Sequence, residues 1–132
     1  MNEIAPPRQL HRYVASMTMG TISVNDLALA TENEFAFLES LGFPLAEWSE
    51  IAPESFKGGF KLIFRNPSGA KVTVVYTDYE FQVHAGSKEI FGASKHESFA
   101  GNMFSREHLI PALPKIRKAV EPALRSFATG TT

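Results

Sequence analysis

The sequence lacks cysteine, long apolar runs and an excess of charge of either sign. Without thiols, the 132-residue chain has no disulfide scaffold, no cysteine nucleophile and no cysteine-ligated zinc site. Its formal net charge of −1 gives no general attraction to nucleic acid or to an anionic membrane surface. No stretch approaches the ~18 apolar residues that a membrane span needs, so we expect no membrane partner.

Motifs for the common catalytic and metal sites are also missing. The four histidines are His11, His84, His96 and His108. None of them belongs to a His-Glu-x-x-His or His-x-His motif, which are frequent spacings of metal-binding histidines. Gly58 and Gly59 precede neither a Lys-Ser nor a Lys-Thr pair, as a phosphate-binding loop would require. We therefore predict no metal and no cofactor, and the sequence does not favour an enzyme.

The composition fits one folded domain, with 44% apolar and 20% charged residues. Residues 1–24 are an N-terminal extension whose apolar side chains recur at helical spacing between 10 and 17, which leaves a short helix and a mobile arm as alternatives. This extension lacks the basic and apolar regions of a signal peptide, so we expect a cytoplasmic protein. Residues 25–127 are expected to form one α+β domain and residues 128–132 a frayed tail.

Residues 60–91 carry the strongest pattern, that of four antiparallel strands joined by short turns. The turn at 66–69 contains proline and glycine in the order that suits a type I turn with a bulge, which places Phe64 opposite Val72. The apolar pairing across these strands gives the same register. The fold class predicted is α+β: an antiparallel meander sheet of four or more strands, with N-terminal and C-terminal helices packed on one face.

Two further turns extend the register. A turn at 77–78 would set Tyr76 opposite Tyr79, and a glycine-first turn at 86–87 would set Val83 opposite Ile90. Alternation of side chains then assigns a mixed polar and apolar face to the side away from the helices. The residues predicted on that mixed face, and proposed as partner-binding, are Lys61, Ile63, Arg65, Lys71, Val75, Glu80, Gln82, His84 and Phe91. The alternative is an ordinary solvated face, or one half covered by the N-terminal segment.

Helices are predicted before and after this sheet in the sequence. Thr31 and Glu34 fit a capping box, and Gly42 suits the left-handed residue that ends the helix. An earlier start, near Asn25 or Asp26, is the alternative, because Leu27 and Ala30 extend the same apolar stripe. The segment 43–57 is predicted to be irregular, with its tryptophan packed against the body of the protein.

The C-terminal helix is expected to begin after Ser105 and to carry an apolar stripe on one side. Pro111 and Pro114 should break it into a short piece and a main helix, and Pro122 should kink or end that helix.

Three segments resemble those of small, mostly uncharacterised bacterial α+β proteins, some of which are similar to toxin-immunity proteins. The segments are Phe-Leu-Glu-Ser-Leu-Gly-Phe at 37–43, Val-Thr-Val-Val-Tyr-Thr-Asp-Tyr-Glu-Phe-Gln-Val at 72–83 and Phe-Ser-Arg-Glu-His-Leu at 104–109. The likeness covers about residues 25–127. It implies an α+β fold and a non-enzymatic, immunity-like role in binding another protein, and it brings no catalytic residue with it.

The leading functional prediction is therefore a protein-binding domain that docks its partner through the mixed sheet face. The alternative is a small-ligand protein or an enzyme with a pocket between sheet and helices, in which His84, His96 or His108 would be the acid–base group. A nucleic-acid binder is disfavoured because the aromatic residues do not interleave with the basic ones. Those basic residues are Lys115, Arg117, Lys118 and Arg125, together with Lys61, Arg65 and Lys71. A homodimer joined at a sheet edge remains open.

Overall fold

The computed structural model describes residues 22–51, 58–77, 79–92 and 104–130. The helices are α1 (Val24–Glu34), α2 (Phe37–Ser40) and α3 (Arg106–Gly130), and the strands are β1 (Leu45–Ile51), β2 (Gly59–Arg65), β3 (Lys71–Thr77), β4 (Glu80–Ala85) and β5 (Lys88–Phe91). The strands form one antiparallel sheet in the order β1-β2-β3-β4-β5. The predicted α+β meander is confirmed, with one strand more than the sequence pattern gave. Residues 1–21 of the predicted N-terminal extension, 1–24, lie outside the described residues, whereas Ser23 and Val24 belong to the start of α1.

The pairing of β2 with β3 follows the predicted register. Phe64 lies opposite Val72 and Phe60 opposite Tyr76. The turn is closed by the side chain of Asn66, whose Oδ1 accepts the amide hydrogen of Ala70 at 2.8 Å, while Gly69 takes the left-handed conformation with φ of 99°. Local turn chemistry is therefore sufficient to fix this hairpin.

The register between β3 and β4 differs from the prediction by two residues. Tyr76 lies opposite Phe81, and Thr77 pairs with Glu80, so the turn comes later along the chain than predicted. Tyr79 occupies that turn with φ of 70°, a left-handed conformation that bulky side chains rarely adopt. Sequence rules place glycine or asparagine there, which is why the turn was misplaced. A shift of two residues preserves which side chains face the core.

Between β4 and β5, the predicted pairing is correct close to the turn and wrong beyond it. His84 lies opposite Glu89 as predicted, but Val83 lies opposite Phe91 and not Ile90. The extra residue is a bulge, and it turns Phe91 into the core, where the side chain is fully buried. The Phe91 ring packs edge-on against Phe81 with 6.0 Å between centroids. The assignment of Phe91 to the mixed face is therefore wrong. Burial of its ring stabilises the fold more than a regular hydrogen-bond ladder between β4 and β5 would.

Strand β1 occupies part of the segment that was predicted to be irregular. Trp48 lies opposite Leu62 and packs, half buried, against the core. The pairing is interrupted by a bulge between Leu45 and Glu47, which removes the strict alternation that marks a strand in sequence. Residues 52–57 of the predicted loop lie outside the described residues.

Helix α1 begins earlier than the predicted capping box. Ser23 caps it by accepting the amide hydrogen of Asp26 at 3.0 Å. Thr31 lies inside the helix and donates its hydroxyl hydrogen to the Leu27 carbonyl at 2.8 Å, so the predicted cap at Thr31 is wrong.

The end of the next helix, by contrast, follows the prediction. Gly42 adopts φ of 94°, and the amide of Phe43 donates to the Leu38 carbonyl at 2.9 Å, as expected where a left-handed glycine ends a helix.

Helix α3 runs unbroken from Arg106 to Gly130 despite its three prolines, so the predicted breaks are not observed. Pro111, Pro114 and Pro122 are exposed and share one side of the helix, because their spacings of three and eight residues fit its period. The opposite side carries the buried residues Leu109, Leu113, Ile116, Val120, Leu124 and Ala128. Burial of the five large side chains of this stripe, at ~1.5–3 kcal/mol each, contributes about 7.5–15 kcal/mol, which is comparable with the roughly 9 kcal/mol cost of three interior prolines at ~3 kcal/mol each. Ala128, assigned from sequence to a frayed tail, is therefore part of the core.

Candidate docking face of the sheet

The core cluster occupies the space between one side of the sheet and the helices, and Leu62, Val74 and Phe81 point into it as predicted. Side chains that alternate with these core residues lie on the other side of the sheet, which we call the helix-free face. Its members include Glu47, Ser49, Lys61, Ile63, Arg65, Lys71, Thr73, Val75, Thr77, Glu80, Gln82, His84 and Glu89. Eight of the nine residues predicted on this face from sequence are present, Phe91 being the exception.

The middle of the helix-free face is apolar. Ile63 on β2 is only 8% exposed although it does not belong to the core cluster, and Val75 on the neighbouring strand is half buried. The two are diagonal neighbours, since Ile63 pairs with Thr73 and Val75 with Lys61. Long side chains on both sides place their alkyl portions beside such residues. An apolar centre with charged residues around it is the arrangement found in protein–protein interfaces.

One end of the face is basic. Arg65 and Lys71 lie directly opposite each other across β2 and β3, an arrangement of like charges that disfavours the sheet. Arg65 is partly neutralised by Glu47 of β1, with 3.3 Å between its Nη2 and the carboxylate oxygen. Lys71 is exposed and forms no ion pair within the part of the chain that the structure describes. Glu47 was missed by sequence reasoning because β1 was missed.

A row of hydrogen bonds runs along β4. The Gln82 amide donates to Glu80 at 2.6 Å, and its carbonyl oxygen lies 3.0 Å from Nε2 of His84. Across the strands His84 is flanked by Thr73 and Glu89, not by Lys71 as the predicted register implied. The imidazole is therefore held by polar neighbours on an open face. Such a polar row on a sheet face is a surface that a binding partner could recognise.

Two of the three alternative acid–base histidines, His84 and His108, lie in different parts of the described structure. His108 is exposed at the start of α3, with its Nδ1 2.6 Å from the Ser105 hydroxyl, whereas His84 faces away from that helix across the sheet. His96 lies outside the described residues. Within the described ranges, no group of three or more histidine, aspartate or glutamate side chains could hold a metal ion.

The basic residues of α3 do not join those of the sheet. Arg117 pairs with Glu34 at 3.5 Å and with Glu121 at 3.0 Å, and Arg125 pairs with Glu121 at 2.6 Å. Both guanidinium groups also lie over the ring of Phe37, 5.2 and 5.6 Å from its centroid. These contacts attach α2 and the end of α1 to α3. Because the sheet separates α3 from Lys61, Arg65 and Lys71, the two basic sets form no continuous patch.

Among the described residues, two groups have clearly shifted pKa values, and both lie away from the helix-free face. Burial raises the pKa of Tyr76 to about 12, and its hydroxyl donates to the Phe104 carbonyl at 2.7 Å. The hydrogen bond from Arg125, assisted by Arg117, lowers the pKa of the Glu121 carboxyl. Tyr76 faces the core and Glu121 holds the arginine cluster, so both shifts have structural causes.

None of the helices in the described ranges has both the length and the apolar character that a membrane crossing requires. Comparison with known proteins found no matching family model, no matching curated protein and no matching solved structure.

Proposed function

We propose that the protein is a non-enzymatic binding domain that docks another protein through its helix-free face. The observation that carries this proposal is the pairing of an apolar centre, Ile63 and Val75, with a rim of charged and amide side chains. Ile63, only 8% exposed, mainly shapes the centre, and the half-buried Val75 leaves apolar area there for a partner. Charges at the rim select the partner and speed its association. An immunity-like role, which the resemblance at 37–43, 72–83 and 104–109 implies, is one form of this function.

The charge distribution defines the partner further. Arg65 and Lys71 repel each other across the strands, and a carboxylate placed between them would remove that repulsion. The partner is therefore expected to present acidic side chains to this end of the face. Affinity should fall as salt is raised, because exposed charges are screened over ~8 Å at physiological ionic strength.

The test is a charge reversal with a matched control. Arg65→Glu with Lys71→Glu changes the face, whereas Lys115→Glu with Lys118→Glu makes the same charge change at exposed positions of α3. Proteins captured from the source cells by the wild type would be identified, purified and titrated against all three forms. We expect the face variant to bind at least about tenfold more weakly, which corresponds to ~1.4 kcal/mol, and the helix variant to bind as the wild type does. Equal affinities of the two variants, with both folded, would refute the proposal.

A further inference from the structure

A second surface with binding character lies on the other side of the sheet, where its last strand meets the end of α3. Here a groove of about 250 Å³ is lined by Ala85, Lys88, Ile90, Ala123, Ser126 and Phe127. This groove is separate from the helix-free face and includes none of the predicted site residues. The sequence allowed a pocket between sheet and helices as an alternative, but it did not identify these lining residues, because they are about 40 positions apart in the chain.

The walls of the groove are fixed by two local features. The bulge in β5 turns Phe91 into the core and leaves Ile90 half buried beside the groove. On the helix side, the ring of Phe127 is held against that of Phe43, with 5.8 Å between centroids. The apolar walls are therefore in place before any ligand arrives, which lowers the entropic cost of binding.

Two polar groups lie at the rim without partners. The exposed Lys88 forms no ion pair, and the Ser126 hydroxyl forms no hydrogen bond, within the described part of the chain. The contrast with nearby residues is informative: Arg125 is bound to Glu121, and the Thr129 hydroxyl donates to the Arg125 carbonyl at 2.9 Å. A cation and a hydroxyl beside an apolar groove complement an anion that carries an apolar body.

We propose that this groove binds a small amphipathic carboxylate, with its chain against Ile90 and Phe127 and its carboxylate at Lys88 and Ser126. The volume is below the ~300–1,000 Å³ of pockets for drug-sized molecules, so the ligand is short. The carboxylate would accept hydrogen bonds from the lysine ammonium and the serine hydroxyl. Without a ligand, these two groups donate to water. This site is independent of the proposed docking face, and either can be wrong without affecting the other.

The probe is octanoate, with octan-1-ol as its uncharged counterpart, each titrated into the full chain while backbone amide shifts are recorded by NMR. We expect saturable octanoate binding in the millimolar range, with the largest shifts at 88–90 and 123–127. Lys88→Met should weaken octanoate binding about fivefold and leave octanol binding unchanged. The control Lys118→Met, at an exposed position outside the groove, should change neither. Ala123→Phe, at an exposed position on the groove wall, should block both probes by filling the space.

Several outcomes would overturn the proposal. One is a response to octanoate that does not saturate or is spread over the whole surface. A second is unchanged octanoate affinity in Lys88→Met. A third is octanol binding as tight as octanoate binding in the wild type. Either of these two results would show a site without preference for a carboxylate. Shifts at 88–90 and 123–127 that depend on protein concentration without any probe would assign the groove to a second copy of the chain instead.

Discussion

Replacing Tyr76 by phenylalanine should change how stability depends on pH, in a direction set by the burial of its hydroxyl. The side chain is fully buried, and its only described hydrogen bond is the one to Phe104. At neutral pH, Tyr76→Phe removes that bond and leaves the mostly buried Phe104 carbonyl without this hydrogen-bond donor. The free energy of unfolding should therefore fall by about 1–2 kcal/mol.

At alkaline pH the comparison changes. The pKa of Tyr76 is about 12 in the folded protein against 10.0 for an unperturbed tyrosine. As pH rises through the lower value, the unfolded chain releases the proton while the folded chain retains it, so stability falls between these two values. The loss from this group alone is about 1.4 kcal/mol at pH 11 and about 2.3 kcal/mol at pH 12. The Tyr76→Phe variant has no such proton, so its deficit relative to wild type should disappear near pH 11.

The assay is urea unfolding of both proteins at several pH values from neutral to about 11, followed by circular dichroism. All other titrating groups are shared, so the difference between the two proteins isolates Tyr76. Absorbance of tyrosinate provides a second measurement, since the variant should lose a tyrosine that titrates at about pH 12. A stability difference that stays constant from pH 7 to 11 would refute the assigned burial and its consequence.

Two further predictions concern α3. Pro122→Ala should raise the free energy of unfolding by about 1–2 kcal/mol, because it restores a hydrogen bond inside the helix at an exposed position. Thermal unfolding measures this, with Lys118→Ala as a control that is expected to be nearly neutral. A lower melting temperature of Pro122→Ala would contradict the prediction. Glu121→Gln should lower the free energy of unfolding by about 0.5–1 kcal/mol at neutral pH. The arginine contacts stabilise only the ionised carboxylate, whose folded pKa lies below 4.5, so the difference between the two proteins should vanish as pH falls through that pKa. The exposed Glu50→Gln serves as its control in acid titrations of stability, and a deficit that persists in acid would argue against the ion-pair explanation.

The parts of the fold that were predictable are those determined by neighbouring residues. The hairpin around Asn66 combines a turn of definite chemistry with apolar strands, so its register is correct. The following turn was misplaced because Tyr79 takes a conformation that sequence rules assign to glycine or asparagine. The shift of two residues nevertheless preserved the faces, and most of the candidate site was predicted for that reason.

The rest depends on contacts between distant residues. In β1, Leu45, Trp48 and Ile51 recur every three residues around a bulge, so the strand is visible only through its pairing with β2. The position of Phe91 was decided by the space available beside Phe81, which no local rule contains. The groove beside Phe127 likewise exists only once α3 has packed against the last strands.

The common orientation of Pro111, Pro114 and Pro122 has a mechanical consequence for the longest helix. Each proline removes one amide from the water-exposed side, while the hydrogen bonds on the buried side remain complete. A helix that lacks hydrogen bonds on its exposed side lengthens there and curves, with the convex side toward solvent. The prolines thus favour an arched helix over a straight one, and an arch suits packing against the curved surface of a twisted sheet.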